Sequence, residues 1–564
     1  MMIMKYKVKS TIILLIASIF FVGCNDGYLD RRIDSRLSKE QVFSSYDYVT
    51  QFVVGTYSWL PNGFDRIDGA MLASASDEAE HTWDGSEIQK FNYGSWTPYS
   101  NPDDQWNRLF SGIRRVNLLL ENIDNVNLDS YKLNPLPDIQ AEYNRRVADL
   151  KRWKYEMRFL RAYFYFELVK RYGAVPIIEK TLSIEDDFSN ITRNSIPECI
   201  DFIVAECDSV ATILNVYPGR EPNDPNASGR ITKGAAMALK SRTLLIAASP
   251  LFLEPDNLTD QKPSDPIKWK KAADAAKDVI ELGVYSLSPT YSGIFNNYGS
   301  PELILAYRHG NSNRFERANY PIGYEQGQSG TTPTQNLVNA YEMLNGKSIN
   351  DPGSGYDPQN PYQNRDPRLL QTVIVNNSQW NGRKVELWTG GRDGKGKDQA
   401  SKTGYYLKKY VIENLDLLQN RTAAHTWALF RLAEIYLNYA EALNEYDPTN
   451  PDIAKYVNLV RNRAGMPNLP DGLTQEQMRE RIIHERRVEF AFEEHRFWDV
   501  RRWKIAASVL GSPITGMEIT RIDDNHFQFQ EVPVENRVFM NKMYWYPIPQ
   551  NELIKTDWDQ NPDW

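Results

Sequence analysis

The sequence predicts a mainly α-helical protein, an α-α superhelix of tetratricopeptide-like helix pairs decorated by long loops and a few short strands. Apolar and charged residues recur at helical spacing over several long segments, which predicts amphipathic helices. Segments rich in Gly and Pro separate these helices and mark turns between them. Ala272, Ala273 and Ala276 form a small-residue face beside Trp269, as in tetratricopeptide helices, although the period is not regular enough for a true repeat array.

The segment 151–178 is the helix around which the other elements are expected to pack. Lys154 and Arg158 lie one helical turn apart, but residues 162–166 contain no polar break. A helix that is apolar nearly all round at its centre is buried on several sides. Gly173 is expected to end the helix as a left-handed cap, and Pro176 prevents it from restarting.

The remaining elements follow from the same patterns. Ser38 and Gln41 resemble a capping box, which opens a helix that continues to Trp59. Further helices are predicted over residues 105–123, 197–214, 233–248, 269–282, 427–446, 453–464 and 473–503, and strands over residues 302–307, 384–389 and 404–411. The charged residues of segment 473–503 have spacings that allow ion pairs along the helix surface, each contributing only a few tenths of a kcal/mol.

The chain length and the net charge limit which classes of protein are possible. The chain has 564 residues, a net charge of −8 and a mean hydropathy of −0.55. Its length allows a large core and several domains. The acidic balance argues against a nucleic-acid partner, which requires a basic face.

The N-terminus carries the features of an export signal. Lys5, Lys7 and Lys9 precede an apolar run over residues 11–22 that is too short to span a bilayer. Gly23 followed directly by Cys24 resembles a bacterial lipobox, and that resemblance implies that Cys24 is the lipidated first residue of the mature chain. The alternative is an ordinary signal peptide with an incidental cysteine. We therefore expect a signal peptide over 1–23, a lipidated tether over 24–37 and one globular domain over 38–564.

No cofactor or metal site is indicated by the Cys and His residues. Cys199 and Cys207 are eight residues apart on a predicted helix, about 12 Å, which is beyond disulfide reach. His484 and His495 are about 16 Å apart on the same reasoning, too far to share a metal ion. A structural calcium ion needs only oxygen ligands and could bind among loop carboxylates, but the sequence does not place one.

Two long polar segments, 67–104 and 308–334, are the candidate functional loops. Loops of this length are uncommon in a compact domain unless they have a function. Their aromatic and short polar side chains can stack on a ligand and hydrogen-bond to it, or alternatively the rings pin each loop to the body of the protein. Asp77, Glu78 and Glu80 could also form the carboxylate pair of a glycosidase, although acidic residues in polar loops are usually just solvated.

Sequence blocks along nearly the whole mature chain match one family in order and spacing. The matching residues are Phe21 to Cys24, Trp106 with Ile113 and Asn117, and the segments 158–178, 229–252, 269–287, 430–446, 457–467, 485–503, 546–553 and 560–564. On these blocks the chain resembles the SusD/RagB-like outer-membrane nutrient-binding lipoproteins. One departure is His495, where the family usually has a glycine.

The resemblance implies a SusD-like fold, with an N-terminal part over about 38–300 and a C-terminal part over 301–564. It also implies a protein without enzymatic activity, held at the outer membrane by its lipid and facing the cell exterior. Such proteins bind a nutrient, usually an oligosaccharide, and act as a lid on a partner TonB-dependent β-barrel transporter of the SusC-like type.

In the family the glycan site is formed by the two loops described above, which implies a set of ligand-binding residues here. The expected stacking rings are Trp83, Trp96, Tyr99, Phe315, Tyr320 and Tyr324, and the expected hydrogen-bonding residues are Asp77, Asn101 and Arg308. Two rival classes remain open, a binder of peptides or other non-sugar nutrients on the same scaffold and an assembly scaffold that binds no small ligand. An enzyme is a distant third.

Overall fold

A computed structural model describes residues 37–183, 185–186, 188, 190–217, 229–259 and 261–564. The predicted signal peptide, Cys24 and the tether up to residue 36 lie outside these residues. Within the described chain no helix combines the length and apolarity needed to cross a bilayer.

Helices make up most of the regular structure, as predicted, and the strands are few and mostly short. The helices are α1 (Lys39–Ser44), α2 (Tyr46–Tyr57), α3 (Gln89–Asn92), α4 (Trp106–Asn122), α5 (Asp129–Lys132), α6 (Pro137–Tyr172), α7 (Ile196–Ile213), α8 (Lys233–Ala248), α9 (Pro250–Leu253), α10 (Pro266–Glu281), α11 (Arg314–Asn319), α12 (Gln335–Ala340), α13 (Arg368–Thr372), α14 (Leu432–Tyr446), α15 (Asp452–Arg463), α16 (Gln475–Glu489), α17 (His495–Arg502), α18 (Ala506–Leu510) and α19 (Gln550–Leu553). The strands are β1 (Ala79–His81), β2 (Leu303–Ser312), β3 (Thr331–Pro333), β4 (Val373–Ile374), β5 (Gln379–Trp380), β6 (Arg383–Lys384), β7 (Tyr406–Leu407), β8 (Ala423–Arg431), β9 (Ile514–Arg521) and β10 (Phe527–Glu535).

The long helices form one continuous stack. Helix α4 packs on α6, α6 on α7, α7 on α8, α8 on α10, α10 on α14, and α14 on both α15 and α16. Each helix therefore buries one face against its predecessor and another against its successor. This arrangement confirms the predicted superhelix of helix pairs.

Helix α6 is the longest described helix and lies second in the stack, between α4 and α7, where it also contacts α2, α5 and α8. Its aromatic residues Tyr163 to Phe166 are at most 2% exposed. It ends at Gly173, whose φ of 70° is in the left-handed region that glycine adopts without strain. Its N-terminal half begins earlier than predicted, at Pro137, because proline is favoured in the first turn of a helix.

The predicted helix from Ser38 to Trp59 is interrupted. The capping box of Ser38 and Gln41 is present and opens α1. Ser45 then has an extended backbone, with φ −107° and ψ 124°, and its side chain accepts a hydrogen bond from the Tyr48 amide to begin α2. A second cap within the segment therefore divides the predicted helix in two.

The predicted helix over 427–446 is wrong in its first five residues. Residues Ala423–Arg431 form β8, which pairs antiparallel with β2, and α14 begins only at Leu432. Trp427, Leu429 and Phe430 are at most 5% exposed. Their burial against β2 outweighs the helical pattern, since strand formation depends strongly on tertiary packing.

The predicted helix over 473–503 is also divided. Helix α16 ends at Glu489, and the chain turns through Phe492 and Glu494, whose φ values of 62° and 66° are both left-handed, before α17 begins at His495. The left-handed backbone that favours glycine is therefore at Glu494. His495, where the family was expected to have a glycine, lies in the helix α17.

The charges of this segment from Glu485 to Arg496 are mostly buried and pair with residues of other elements, whereas Arg479 pairs with Glu476 along the helix surface. Arg431 at the end of β8 lies 2.7 Å from each of Glu302, Glu489 and Glu493. All four side chains are at most 2% exposed. The prediction of exposed, weak pairs therefore fails for residues 485–496, because it considered only contacts within one helix.

The small strands differ in length from the prediction. Of the segments 384–389 and 404–411, only Lys384 and Tyr406–Leu407 belong to strands. Lys384 is the second residue of β6, which pairs with β5, and Tyr406–Leu407 form β7, which pairs with β4. Cys199 and Cys207 are buried free thiols, as predicted.

Candidate functional site

The two predicted functional loops meet in a short sheet. Strand β1 of the first loop pairs antiparallel with β3 of the second, with Glu80 opposite Thr332. Thr82 extends the contact, because its amide donates to the Gly330 carbonyl at 2.9 Å and its hydroxyl donates to the Ser329 carbonyl at 2.7 Å. The structure thus brings residues 79–82 and 329–333 together in a buried sheet.

The buried carboxylate of Glu80 bonds to side chains from two further segments of the chain. Glu80 is fully buried, and Arg537 donates to it at 2.7 Å. Lys402 lies 3.4 Å from the other oxygen of Glu80, and Gln89 donates to that oxygen at 2.8 Å. The charge of Glu80 therefore positions the neighbouring chain segments and is not available to a ligand.

Trp83 lies immediately beyond β1 and has a half-buried indole ring. It packs edge-on against the buried His81, with ring centroids 5.6 Å apart. Burial lowers the pKa of His81 to about 4, so this imidazole is neutral at physiological pH. The exposed Asp84, the next residue in the chain, forms an ion pair with Lys402, whose ammonium also lies 3.4 Å from the His81 carbonyl. An aromatic face next to a carboxylate and an ammonium group can stack on a sugar ring and hydrogen-bond to its hydroxyls.

Tyr324 forms a second aromatic position further along the second loop. Its ring is half-buried, and the Arg383 guanidinium lies 3.8 Å from the ring centroid. Asp393 holds Arg383 through two hydrogen bonds of 2.7 Å. The Tyr324 hydroxyl donates to the Trp380 carbonyl at 2.8 Å, and burial raises its pKa to about 12. The phenol is therefore a fixed, uncharged group whose ring and cationic partner lie at the surface.

Three of the predicted stacking rings belong to the core. Trp96 is 2% exposed and packs against Tyr546 and Trp564, with centroids 5.2 and 4.6 Å away. Phe315 is 5% exposed, and Tyr320 is 3% exposed with its hydroxyl donating to the Ile412 carbonyl. These rings have no face open to a ligand, so they correspond to the alternative in which the aromatic residues pin the loops to the body.

Asp77 is likewise buried, in ion pairs within the fold. It forms ion pairs with Arg487 at 2.6 Å and Arg496 at 2.8 Å and is 6% exposed. Burial alone would raise the pKa of Asp77, but the two guanidinium groups hold it below its usual value. Glu78 is 1% exposed, and burial together with the charge of Asp77 raises its pKa to about 8. With Glu80 also buried, the carboxylates considered for glycosidase chemistry have no access to a substrate.

Tyr99, Asn101 and Arg308 occupy other positions. Tyr99 is 80% exposed and lies on a turn of the first loop. The Lys90 ammonium donates to the Ser100 hydroxyl of this turn at 2.9 Å. Asn101 accepts a hydrogen bond from the Asp103 amide and so closes a turn. Arg308 is exposed on β2, and its guanidinium lies 5.4 Å from the Tyr298 ring.

Sequence reasoning missed Asp84, Lys402 and Arg383. Arg383 belongs to β6, and Lys402 lies between the two predicted strands 384–389 and 404–411. The many Gly and polar residues of segment 389–404 were a signal for a further surface loop. Within the described residues, no group of three or more His, Cys, Asp or Glu side chains is placed to hold a metal ion.

Comparison with known proteins matches this chain over most of its length. A sequence profile described as "SusD family" matches residues 301–564, and one described as "Starch-binding associating with outer membrane" matches residues 27–245. The SusD-like protein P2 of Formosa agariphila is 22% identical over 98% of this chain and 97% of its own length. A SusD-like protein of Bacteroides ovatus is 22% identical over 89% of this chain and 83% of its own length.

Solved structures share the fold. A SusD-like protein from Bacteroides fragilis superposes with a TM-score of 0.76 at 27% identity, covering 93% of this chain and 98% of that one. A SusD-like carbohydrate binding protein from the same species superposes with a TM-score of 0.75 at 25% identity, covering 92% of this chain and 99% of that one. The helical stack and the loops on it are thus those of an established fold.

Proposed function

We propose that this chain, which belongs to the SusD/RagB-like family, is a non-catalytic glycan-binding protein that captures an oligosaccharide or polysaccharide at the cell surface. The observation that carries the proposal is the pairing of β1 with β3. This pairing joins the two aromatic loops, and it is followed directly in the chain by the half-buried Trp83 and by Asp84, which pairs with Lys402. The burial of Asp77, Glu78 and Glu80 in the same loop favours binding over hydrolysis.

The relatives support the same function. One matching profile is described as starch-binding, and one solved neighbour is described as carbohydrate-binding. An aromatic face with a few exposed hydrogen-bonding groups corresponds to dissociation constants of about millimolar to micromolar. Affinity of this order suits a protein that passes its ligand on, here to a TonB-dependent transporter of the SusC-like type.

We place the protein at the outer membrane, anchored through a lipid on Cys24 and facing the exterior. The resemblance of Gly23 and Cys24 to a lipobox supports the anchor. The description of the profile matching residues 27–245 supports the membrane. Metabolic labelling with a fatty acid tests the anchor, because label should enter the unaltered protein and not the Cys24→Ser variant.

A tryptophan substitution tests the binding site. Trp83→Ala removes the half-exposed ring and should weaken binding of the recognised polysaccharide about tenfold or more, equivalent to about 1.4 kcal/mol or more. Affinity electrophoresis or isothermal titration calorimetry measures the change.

Tyr48→Ala is the matched control for this substitution. Tyr48 is an aromatic residue of α2 that is 39% exposed and distant in sequence from both loops, so its removal should leave binding unchanged. Equal affinity of the Trp83→Ala variant and the unaltered protein would remove Trp83 from the site.

A further inference from the structure

Tyr93 is a further exposed aromatic residue of the first loop and lies at the end of α3. Its side chain and backbone are together 45% exposed, and its amide donates to the Gln89 carbonyl at 2.9 Å. The Gln89 side chain in turn donates to the Glu80 carboxylate at 2.8 Å and to the His81 carbonyl at 3.0 Å. Tyr93 is therefore held about one helical turn from the β1 residues that precede Trp83.

The hydroxyl of Tyr93 lies among carboxylates. Burial and then the charges of Glu535, Glu80 and Asp84 raise the pKa of this hydroxyl to about 12, so the phenol is neutral at physiological pH. Asp84 follows Trp83 directly in the chain, and its side chain is 77% exposed. Because the charge of Asp84 reaches the Tyr93 hydroxyl, the two rings belong to a surface that also carries an exposed carboxylate.

The ammonium group of Lys402, which pairs with this carboxylate, is fully engaged within the fold. It donates to Asp84, lies 3.4 Å from Glu80 and lies 3.4 Å from the His81 carbonyl. An ammonium group has three N–H donors, and these three acceptors match them. Lys402 therefore has no N–H group left for a negatively charged ligand.

The guanidinium group of Arg537, which pairs with Glu80 and Glu535, is engaged in the same way. It donates to Glu535 at 3.0 Å, to Glu80 at 2.7 Å and to the Ala79 carbonyl at 2.9 Å, and it also donates to the Ser76 carbonyl. The residue is 5% exposed. The surface thus presents hydrogen-bond acceptors to a ligand, and the two cations that balance them are taken up by the protein itself.

A neutral sugar has the chemistry that this surface can bind. Its hydroxyls can donate charge-assisted hydrogen bonds to the Asp84 carboxylate, and its apolar face can stack on an aromatic ring. A uronic acid or a sulfated sugar would instead place a second negative charge near Asp84 and would find no free cation to pair with. Uncompensated like charges disfavour a complex strongly and are a common source of specificity.

We propose that the surface bearing Trp83, Asp84 and Tyr93 binds neutral sugar residues and excludes uronic acid and sulfated residues, with Tyr93 as a binding residue of the site. This inference rests on the proposed glycan-binding function and adds to it the class of glycan. Discrimination comes from the exposed carboxylate of Asp84 and from the engagement of Lys402 and Arg537 within the fold.

Matched polysaccharides that differ mainly in their carboxylates test the proposal. The pairs are amylopectin and amylopectin oxidised at its primary hydroxyls, mannan and polymannuronate, carboxyl-reduced and native polygalacturonate, and xylan and carboxymethyl xylan. In affinity electrophoresis the protein should bind the neutral member of a pair about tenfold or more tightly than the acidic member. Equal or tighter binding of the acidic member would overturn this inference and leave glycan binding intact. Normal mobility in every gel would instead remove the glycan-binding function, and this inference with it.

A charge variant tests the role of Asp84. Asp84→Asn removes the exposed negative charge, so the ratio of the affinity for the acidic member to that for the neutral member should rise about threefold or more. Asp274→Asn is the matched control, because Asp274 pairs with Lys270 on α10 and has a side chain that is 58% exposed. The control removes the same charge elsewhere and should leave the ratio unchanged. An unchanged ratio in the Asp84→Asn variant would overturn the proposed discrimination.

Two substitutions test Tyr93. Tyr93→Ala should weaken binding of the neutral polysaccharide about threefold or more, whereas Tyr93→Phe keeps the ring and should retain most of the affinity. Isothermal titration calorimetry measures both. Equal affinity of the Tyr93→Ala variant and the unaltered protein would exclude Tyr93 from the site.

Discussion

Glu494 has a backbone conformation that is unfavourable for a residue other than glycine. Its φ of 66° lies in the left-handed region, which costs a residue other than glycine about 1–2 kcal/mol. Its carboxylate lies 3.7 Å from the Arg66 guanidinium, and burial raises its pKa.

Substitution of Glu494 separates the two effects. Glu494→Gly and Glu494→Ala both remove the carboxylate, but only glycine relieves the left-handed strain. We expect the Gly variant to have a free energy of unfolding about 1 kcal/mol higher than the Ala variant. Urea denaturation measures the difference, and an Ala variant as stable as the Gly variant would contradict it.

Glu78 gives a residue-scale prediction about pH. Its pKa in the folded protein is about 8, raised from 4.5 by burial and by the charge of Asp77. Between these two values the folded state holds a proton that the unfolded state has lost. The stability contributed by this proton is therefore fully present below pH 4.5 and is lost as the pH rises through about 8.

The Glu78→Gln variant tests this prediction, because glutamine is a neutral isostere that keeps an acceptor for the Phe492 amide. The unaltered protein should lose up to about 1.4 kcal/mol of unfolding free energy per pH unit more than the variant between pH 5 and pH 8. Denaturant titrations of both proteins at each pH give the two slopes. Parallel slopes would show that Glu78 ionises normally.

The exposure of individual rings could not be predicted from the sequence. Trp83 and Trp96 lie in the same loop, in similar polar surroundings, but one ring is half-exposed and the other contacts Tyr546 and Trp564 near the C-terminus. Contacts over such sequence distances depend on the whole fold. The loops could be predicted as functional segments, but the division between surface and core rings could not.

At the scale of elements, the helices with strong local signals were the predictable ones. Helix α8 has the predicted bounds, and α4 and α7 differ from them by one residue at each end. Strand β8 was missed because its conformation depends on β2, more than a hundred residues earlier in the chain. The break between α16 and α17 was missed because the left-handed residue there is Glu494 and not a glycine.

The junction of β8, β2 and α16 depends on Arg431, which contacts three buried glutamates. Arg431→Met leaves these carboxylates without one of their cations and should lower the free energy of unfolding by about 3–5 kcal/mol. Thermal and urea unfolding measure the loss.

Arg479→Ala is the matched control at this scale. Arg479 pairs with Glu445 at 2.6 Å on the surface, with a side chain that is 31% exposed, and its removal should cost less than about 1 kcal/mol. Similar costs for the two variants would contradict a structural role for the buried network.

The whole molecule consists of a continuous helical stack and of loops that pack on it. The stack is continuous from α4 to α16, and the pairing of β1 with β3 joins two loops that lie about 250 residues apart in the chain. Buried ion pairs such as Glu80 with Arg537 hold these loops in place. A surface fixed in this way can bind a glycan without first ordering itself, which reduces the entropy cost of binding.

Affinity electrophoresis of the chain from residue 25 onward, in native gels cast with amylopectin, xylan, pectin or mannan, tests the central claim most directly. We expect one of these polysaccharides to retard the protein while no reducing sugar is released during incubation. The same gel should show normal mobility for the Trp83→Ala variant. Normal mobility of the unaltered protein in every gel, or release of sugar from the polysaccharide that retards it, would contradict a non-catalytic glycan-binding function.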